Sequence, residues 1–236
     1  MIKRALSWVI LLLVLVGGSG CRQNSYDQSN RNSSQTVGTQ ETASPARQSA
    51  PTYNERVIVA FGDSLTAGLG VAEEEAYPAV LERKIHEAGF SYRVVNAGVS
   101  GETTAGGLRR VSWILQNRPE IVILELGAND GLRGLSLSET KKNLTEIIEE
   151  LQREHVRIVL AGMQMPPNYG KEYTESFEKI FPELAGGYRL ILIPFFLEGV
   201  AGRAGLNQAD GIHPTAQGYQ KVVDNVWPKL EPLLVH

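Results

Sequence analysis

Ser64 lies in Gly62-Asp63-Ser64-Leu65, directly after the apolar run 57–61. A serine hydroxyl is a weak nucleophile until a base takes its proton. The four histidines are therefore the next residues to weigh. His86 lies between charged neighbours in a helical stretch, His155 follows Glu154 in a helix-to-strand turn, and His236 ends the chain. These three read as ordinary surface histidines. His213 differs, because it sits in Asp210-Gly211-Ile212-His213-Pro214, a glycine-containing loop ending at a proline that fixes the backbone. Asp210, three residues earlier, can reach the imidazole, hold the tautomer that faces a serine and stabilise the imidazolium. The same aspartate suits a second role, capping the helix that follows.

Acyl transfer also needs donors for a developing oxyanion. Backbone N–H groups near Ser64 and Gly98 are candidates, since a glycine lets substrate approach the main chain closely. Asn129, in Gly127-Ala128-Asn129-Asp130, can add a side-chain amide or serve as a turn residue after a strand. An acyl chain could rest on Leu132 and Leu135, on Met165 and Tyr169, or on Phe195, Phe196 and Leu197. Each of these also reads as ordinary packing. The expectation is a shallow apolar cleft with residues 132–137 as a mobile lip.

These residues need elements to position them. Apolar runs at 57–61, 92–96, 121–126, 156–161 and 190–193 read as five strands, the last ended by Pro194. Helical spacing fills 79–88, 103–116 and 137–153, where Leu144, Ile147, Ile148 and Leu151 share one face. A weaker helical pattern covers 173–184, and a last helix spans 214–234 with Pro214 at its start. Strand and helix alternate, and the strands are continuous apolar runs. That predicts an α/β fold with a parallel sheet covered by helices on both faces. In such sheets ligands gather at the carboxyl ends of strands, which is where the blocks around Ser64, Gly98 and Asn129 fall.

The beginning of the chain has another character. Lys3 and Arg4 precede an apolar stretch at 5–16, then Gly17, Gly18, Ser19 and Gly20, then Cys21. This is the pattern of a signal peptide over 1–20, and the stretch is shorter than the ~20 residues a membrane span needs. Cys21 falls where a bacterial lipoprotein signal places its lipidated cysteine, although Gly18 stands where such signals carry a larger aliphatic residue. It is the one cysteine of the chain, so no intrachain disulfide forms. Lipidation of Cys21 is expected, which would join the protein to a membrane on the extracytoplasmic side. Residues 21–52 are rich in Ser, Gln, Asn and Thr and read as a disordered tether. At roughly 5–6 Å × √n it would hold the domain of residues 53–236 about 30 Å from its anchor. The net charge of −3 comes without any basic run, which argues against nucleic acid as a partner.

Taken together, Gly62-Asp63-Ser64-Leu65, Gly98, Gly127-Ala128-Asn129-Asp130 and Asp210-Gly211-Ile212-His213-Pro214 resemble the four blocks of the GDSL/SGNH hydrolase family. The wording VVNAGVSGETTAGGL, ELGANDGLRG, PPNYG and DGIHP is similar to its bacterial thioesterase I, arylesterase and lysophospholipase branch. The resemblance implies a flavodoxin-like, three-layer α/β/α fold with a five-stranded parallel sheet. It implies Ser64 as nucleophile, His213 as base, Asp210 as third member, and an oxyanion hole of Ser64 N–H, Gly98 N–H and the Asn129 amide. It implies no metal and no organic cofactor. The expected substrates are small esters or lysolipids, including aryl esters and acyl thioesters, and the expected state is a monomer. Two other readings remain: a carbohydrate or cell-wall O-acetyl esterase with the same catalytic set, and a non-catalytic lipid-binding lipoprotein.

Overall fold

Each of the five apolar runs is a strand in the computed structural model, which describes residues 56–236. The signal-peptide and tether readings of residues 1–52, with Cys21, lie outside the described residues. The strands are β1 (Arg56–Gly62), β2 (Tyr92–Gly98), β3 (Ile121–Glu125), β4 (Arg157–Ala161) and β5 (Ile191–Ile193). All pairings are parallel, in the order β2-β1-β3-β4-β5. This is the doubly wound order in which the chain starts near the middle and winds first one way, then the other. β3 is buried along its whole length, and β1 and β4 after their first residues. Coverage of both faces explains why they read as unbroken apolar runs. The edge strand β2 exposes Arg93 and Asn96.

The covering helices bury one stripe each. In α5 (Leu137–Arg153) the stripe is Thr140, Leu144, Ile147, Ile148 and Leu151, and Ser136 caps the helix by accepting from Glu139 N–H. α5 packs against α3 (Thr104–Gln116) and α6 (Lys171–Tyr188). α2 (Tyr77–Glu87) packs against α7 (Ala216–Leu230), which buries Tyr219, Val222, Val223, Val226 and Leu230. Two short helices complete the set at strand ends: α1 (Ser64–Ala67) after β1 and α4 (Ala128–Leu132) after β3.

Three local expectations need correction. α6 runs further at both ends than residues 173–184, because Gly170 admits it at φ +86° and Arg189 ends it in the left-handed region at φ +55°. Pro214 lies outside α7, whose N-cap is Thr215, accepting from Gly218 N–H at 3.2 Å. Asp210 is therefore not the cap of this helix. Finally, residues 132–137 are not one loop, since Leu132 closes α4 and Leu137 opens α5.

Candidate active site

β1 ends at Gly62, and the chain turns at once into α1. Asp63 caps that helix, its Oδ1 accepting Leu65 N–H at 3.0 Å. Ser64 is thereby the first residue of α1, where a backbone N–H has no acceptor within its own helix. Glycine at 62 is required by crowding: a Cβ there would lie 2.1 Å from Thr66 Oγ1 and 2.4 Å from Glu125 Oε2.

The histidine arrives from the irregular chain between β5 and α7. Ser64 Oγ and His213 Nε2 are 2.8 Å apart, across 149 residues of sequence. His213 Nδ1 and Asp210 Oδ2 are 2.6 Å apart, while Asp210 Oδ1 accepts the N–H groups of Ile212 and His213 at 2.9 and 3.0 Å. These hydrogen bonds, from His213 above all, hold the Asp210 carboxyl down at about 2. With Nδ1–H given to an ionised carboxylate, Nε2 is left to accept the serine proton. Gln208 fixes the loop. Its Nε2 donates to Leu69 O at 2.7 Å and Pro214 O at 2.9 Å, and its N–H to His213 O at 2.8 Å. The strap thus joins the histidine loop to the turn that follows α1. Two of the other histidines do structural work: His86 Nε2 lies 2.9 Å from Tyr92 O, and His236 stacks on Phe90.

The candidate oxyanion donors fall differently from expectation. Gly98 N–H is occupied, donating to Asn96 Oδ1 at 3.0 Å. Gly98 is a glycine because a Cβ there would lie 2.1 Å from Ala67 N, so the backbone it admits is that of α1 and not a substrate. The glycine that lines the cleft with Ser64, Asn129 and His213 is Gly101, at φ +79°, whose N–H donates to no group among the described residues. The signal was available in Ser100-Gly101-Glu102, three residues beyond the end of the strand. Arg110 supports this corner. It stacks on Phe61, pairs with Glu102, and donates to Ala97 O at 2.8 Å and Gly62 O at 3.2 Å. Asn129 lines the cleft as well. One amide hydrogen goes to Asp63 Oδ2 at 2.8 Å, and a primary amide has a second to offer. Asp130 faces inward, accepting Thr104 N–H at 2.8 Å and Thr104 Oγ1–H at 2.6 Å.

Beside Ser64 the surface opens into a cleft of about 230 Å³. It shares Leu65, Ala128, Leu132 and Ile212 with a larger, mostly apolar cavity of about 470 Å³. Met163, Met165, Pro167, Phe195 and Leu197 wall that cavity. Leu132 and Met165 thus lie where acyl contacts were expected. Leu135 and Tyr169 do not. Leu135 points outward at 43% exposure, and Tyr169 lines a separate depression with Tyr173 and Lys171. Tyr169 instead holds the neighbouring loop, its hydroxyl donating to Leu132 O at 2.9 Å, and Tyr173 does the same to Gly131 O at 3.1 Å. Arg133 adds a bond to Gly101 O at 2.8 Å. The expected lip is therefore a strapped segment. Phe196 is core, edge-on to Tyr77 at 5.2 Å. Among the described residues no three His, Cys, Asp or Glu side chains are grouped to hold a metal ion. Nor is any helix there long and apolar enough to cross a membrane.

A serine, an imidazole and a carboxylate in hydrogen-bond sequence, set at the carboxyl edge of a doubly wound parallel sheet, define a serine hydrolase of the α/β/α kind. The chain belongs to the GDSL-like lipase/acylhydrolase family, whose model matches residues 60–221. It is an enzyme of the ester-hydrolase class. It is 42% identical over 180 residues to esterase TesA of Pseudomonas aeruginosa, covering 76% of this chain and 90% of that one. It is 37% identical over 180 residues to thioesterase 1/protease 1/lysophospholipase L1 of Escherichia coli K12, covering 76% and 85%. Among solved structures, AlinE4, an SGNH-hydrolase family esterase, superposes with a TM-score of 0.65 at 47% identity, covering 78% of this chain and 100% of that one.

Proposed function

We propose that Ser64 attacks the carbonyl of small carboxylic esters and acyl thioesters, with His213 as general base and Asp210 as its orienting partner. The observation that carries this reading is the relay Ser64 Oγ–His213 Nε2, His213 Nδ1–Asp210 Oδ2 at 2.8 and 2.6 Å, opening onto an apolar cavity. As Oγ bonds to the carbonyl carbon its proton passes to Nε2. The oxyanion accepts from Ser64 N–H, Gly101 N–H and the free hydrogen of the Asn129 amide. The imidazolium gives the proton to the departing alcohol or thiol. Water, deprotonated by His213, then releases the acid.

The cavity past Leu132 and Met165 takes the acyl chain. Its thioether and aliphatic walls favour short to medium chains, as in aryl esters and lysolipids, over an acetyl group on a sugar. The domain acts as a monomer on the extracytoplasmic side, joined to a membrane through lipidated Cys21 and the segment 22–52. The leader residues Lys3 to Cys21 support that placement. The test is hydrolysis of p-nitrophenyl esters from acetyl to palmitoyl by the full-length protein and its Ser64→Ala variant. Activity that peaks at one chain length and vanishes in the variant upholds the reading. A folded protein inactive on every ester would move the weight to a lipid-binding role.

A further inference from the structure

β3 ends in Glu125, a glutamate with 0% of its surface exposed, directly beneath the turn that carries Ser64. The mechanism above makes no use of it. Its two oxygens are treated unequally. Oε2 accepts the Thr66 hydroxyl at 2.7 Å and the Asp63 N–H at 3.3 Å, while Oε1 is buried and accepts nothing. An ionised carboxylate draws donors to both oxygens. A carboxylic acid accepts at its carbonyl oxygen and leaves its hydroxyl oxygen without donors, which is the pattern here. The groups facing Glu125 point the same way. They are Asp63 from the β1–α1 turn, Thr66 from α1, Tyr77 from α2 and Tyr219 from α7. None is a cation. The phenol oxygens of Tyr77 and Tyr219 are also buried without hydrogen-bond partners, so this pocket supplies no bonded donor to Oε1. Asp63 is the better place for a charge, because Leu65 N–H and the Asn129 amide donate to it.

We propose that Glu125 is a neutral carboxylic acid at neutral pH and a positioning residue, whose Oε2 fixes the Asp63–Thr66 turn and through it the aim of Ser64 and Asn129. Burial first, and the neighbouring Asp63 charge second, push the Glu125 carboxyl well above the usual range. Burial likewise raises Asp63, to about 6, less far because its donors oppose the shift. One proton is therefore kept between two carboxyl groups, as like charges at close quarters demand. The proposal deepens the reading of Ser64 as nucleophile and rests on it.

Infrared difference spectra of the full-length protein at pH 7.5 test the protonation directly. A protonated-carboxyl C=O band should be present in the wild type and absent in Glu125→Gln. The second test is kinetic. Glu125→Gln keeps the shape and neutrality of the acid and should hold kcat within a few-fold. Glu125→Ala should lower kcat by about 10²-fold with little change in KM, since a small misplacement of the nucleophile carries such a cost. The third is stability against pH. A raised acid keeps a proton that the unfolded chain releases, so wild-type stability should fall as pH rises above the ordinary carboxyl range; Asp63, raised to about 6, shares that slope below about pH 6, and above it Glu125→Gln should lack the slope that the wild type keeps. Absence of the band, or a Gln variant as impaired as the Ala variant, overturns the proposal. If the Ala variant does not fold, the band and the Gln variant still decide. A Ser64→Ala protein that stays active would overturn the functional reading while leaving the band untouched.

Discussion

Asp210 and His213 come from one four-residue turn, and the aspartate spends one oxygen on the imidazole and the other on two main-chain N–H groups. The orientation of the imidazole is thus set locally, before it meets the serine. Asp210→Asn removes the charge that fixes the tautomer, and kcat on p-nitrophenyl esters should fall about 10⁴-fold, as in other serine hydrolases. Because the Asp210 carboxyl lies at about 2, it stays ionised while the imidazole takes up its proton. The sign for stability follows: a lowered carboxyl favours the folded state above its ordinary value, and that contribution fades as pH drops toward 2. Asn129 and Gly98 respond differently to substitution. Asn129→Ala should lower kcat by about 10²–10³-fold. Gly98→Ala, whose new methyl would meet Ala67 N, should instead cost about 1–3 kcal/mol of stability, read as a lower Tm.

At the scale of elements, the site depends on how strand ends are tied to the helices that follow. Asp130, buried in α4, holds the first residue of α3 through two hydrogen bonds. Asp130→Ala would leave both Thr104 donors buried without an acceptor and should cost about 2–4 kcal/mol in denaturant unfolding. Such ties explain what the sequence made legible and what it did not. All five strands and their parallel pairing follow from apolar runs alternating with helical spacing, because burial on both faces writes itself directly into composition; their order does not. That Ser64, His213 and Asn129 meet at one cleft, with Asp210 on the imidazole, was legible because three of them follow strand ends or precede a proline and the fourth lies three residues before His213. Gly98 was misplaced because two glycines stand three apart in Gly98-Val99-Ser100-Gly101, and only the fold says which faces α1 and which the cleft. Gln208 and Arg110 carry no motif. They act through carbonyls 139 and 13 residues away in sequence, contacts that exist only after folding. Tyr169 looked like a substrate contact because its segment follows the carboxyl end of the fourth strand, yet its hydroxyl is used on a backbone carbonyl.

For the whole molecule, the division of labour is between a rigid edge and an apolar recess. The sheet delivers Ser64 and Asn129 at the ends of β1 and β3, while the stretch beyond β5 brings His213 and part of the recess wall. Phe195 lines the recess but not the cleft at Ser64, so removing its ring would enlarge the recess and leave that cleft alone. Phe195→Ala should therefore shift the preferred acyl chain to greater length and leave acetyl ester rates nearly unchanged, in a comparison of kcat/KM across the ester series. Equal losses on all chain lengths would place Phe195 in the general support of the fold instead.

Ser64 and His213 meet from points 149 residues apart, and between β5 and Asp210 the chain passes through the exposed residues Gly202 to Gly205. A single nick there would part the molecule into two fragments, each holding half of a proton relay and neither able to run it alone. Turnover of a coloured ester would then act as a signal of reassembly, lit only when α7 finds its groove and returns the imidazole to the serine.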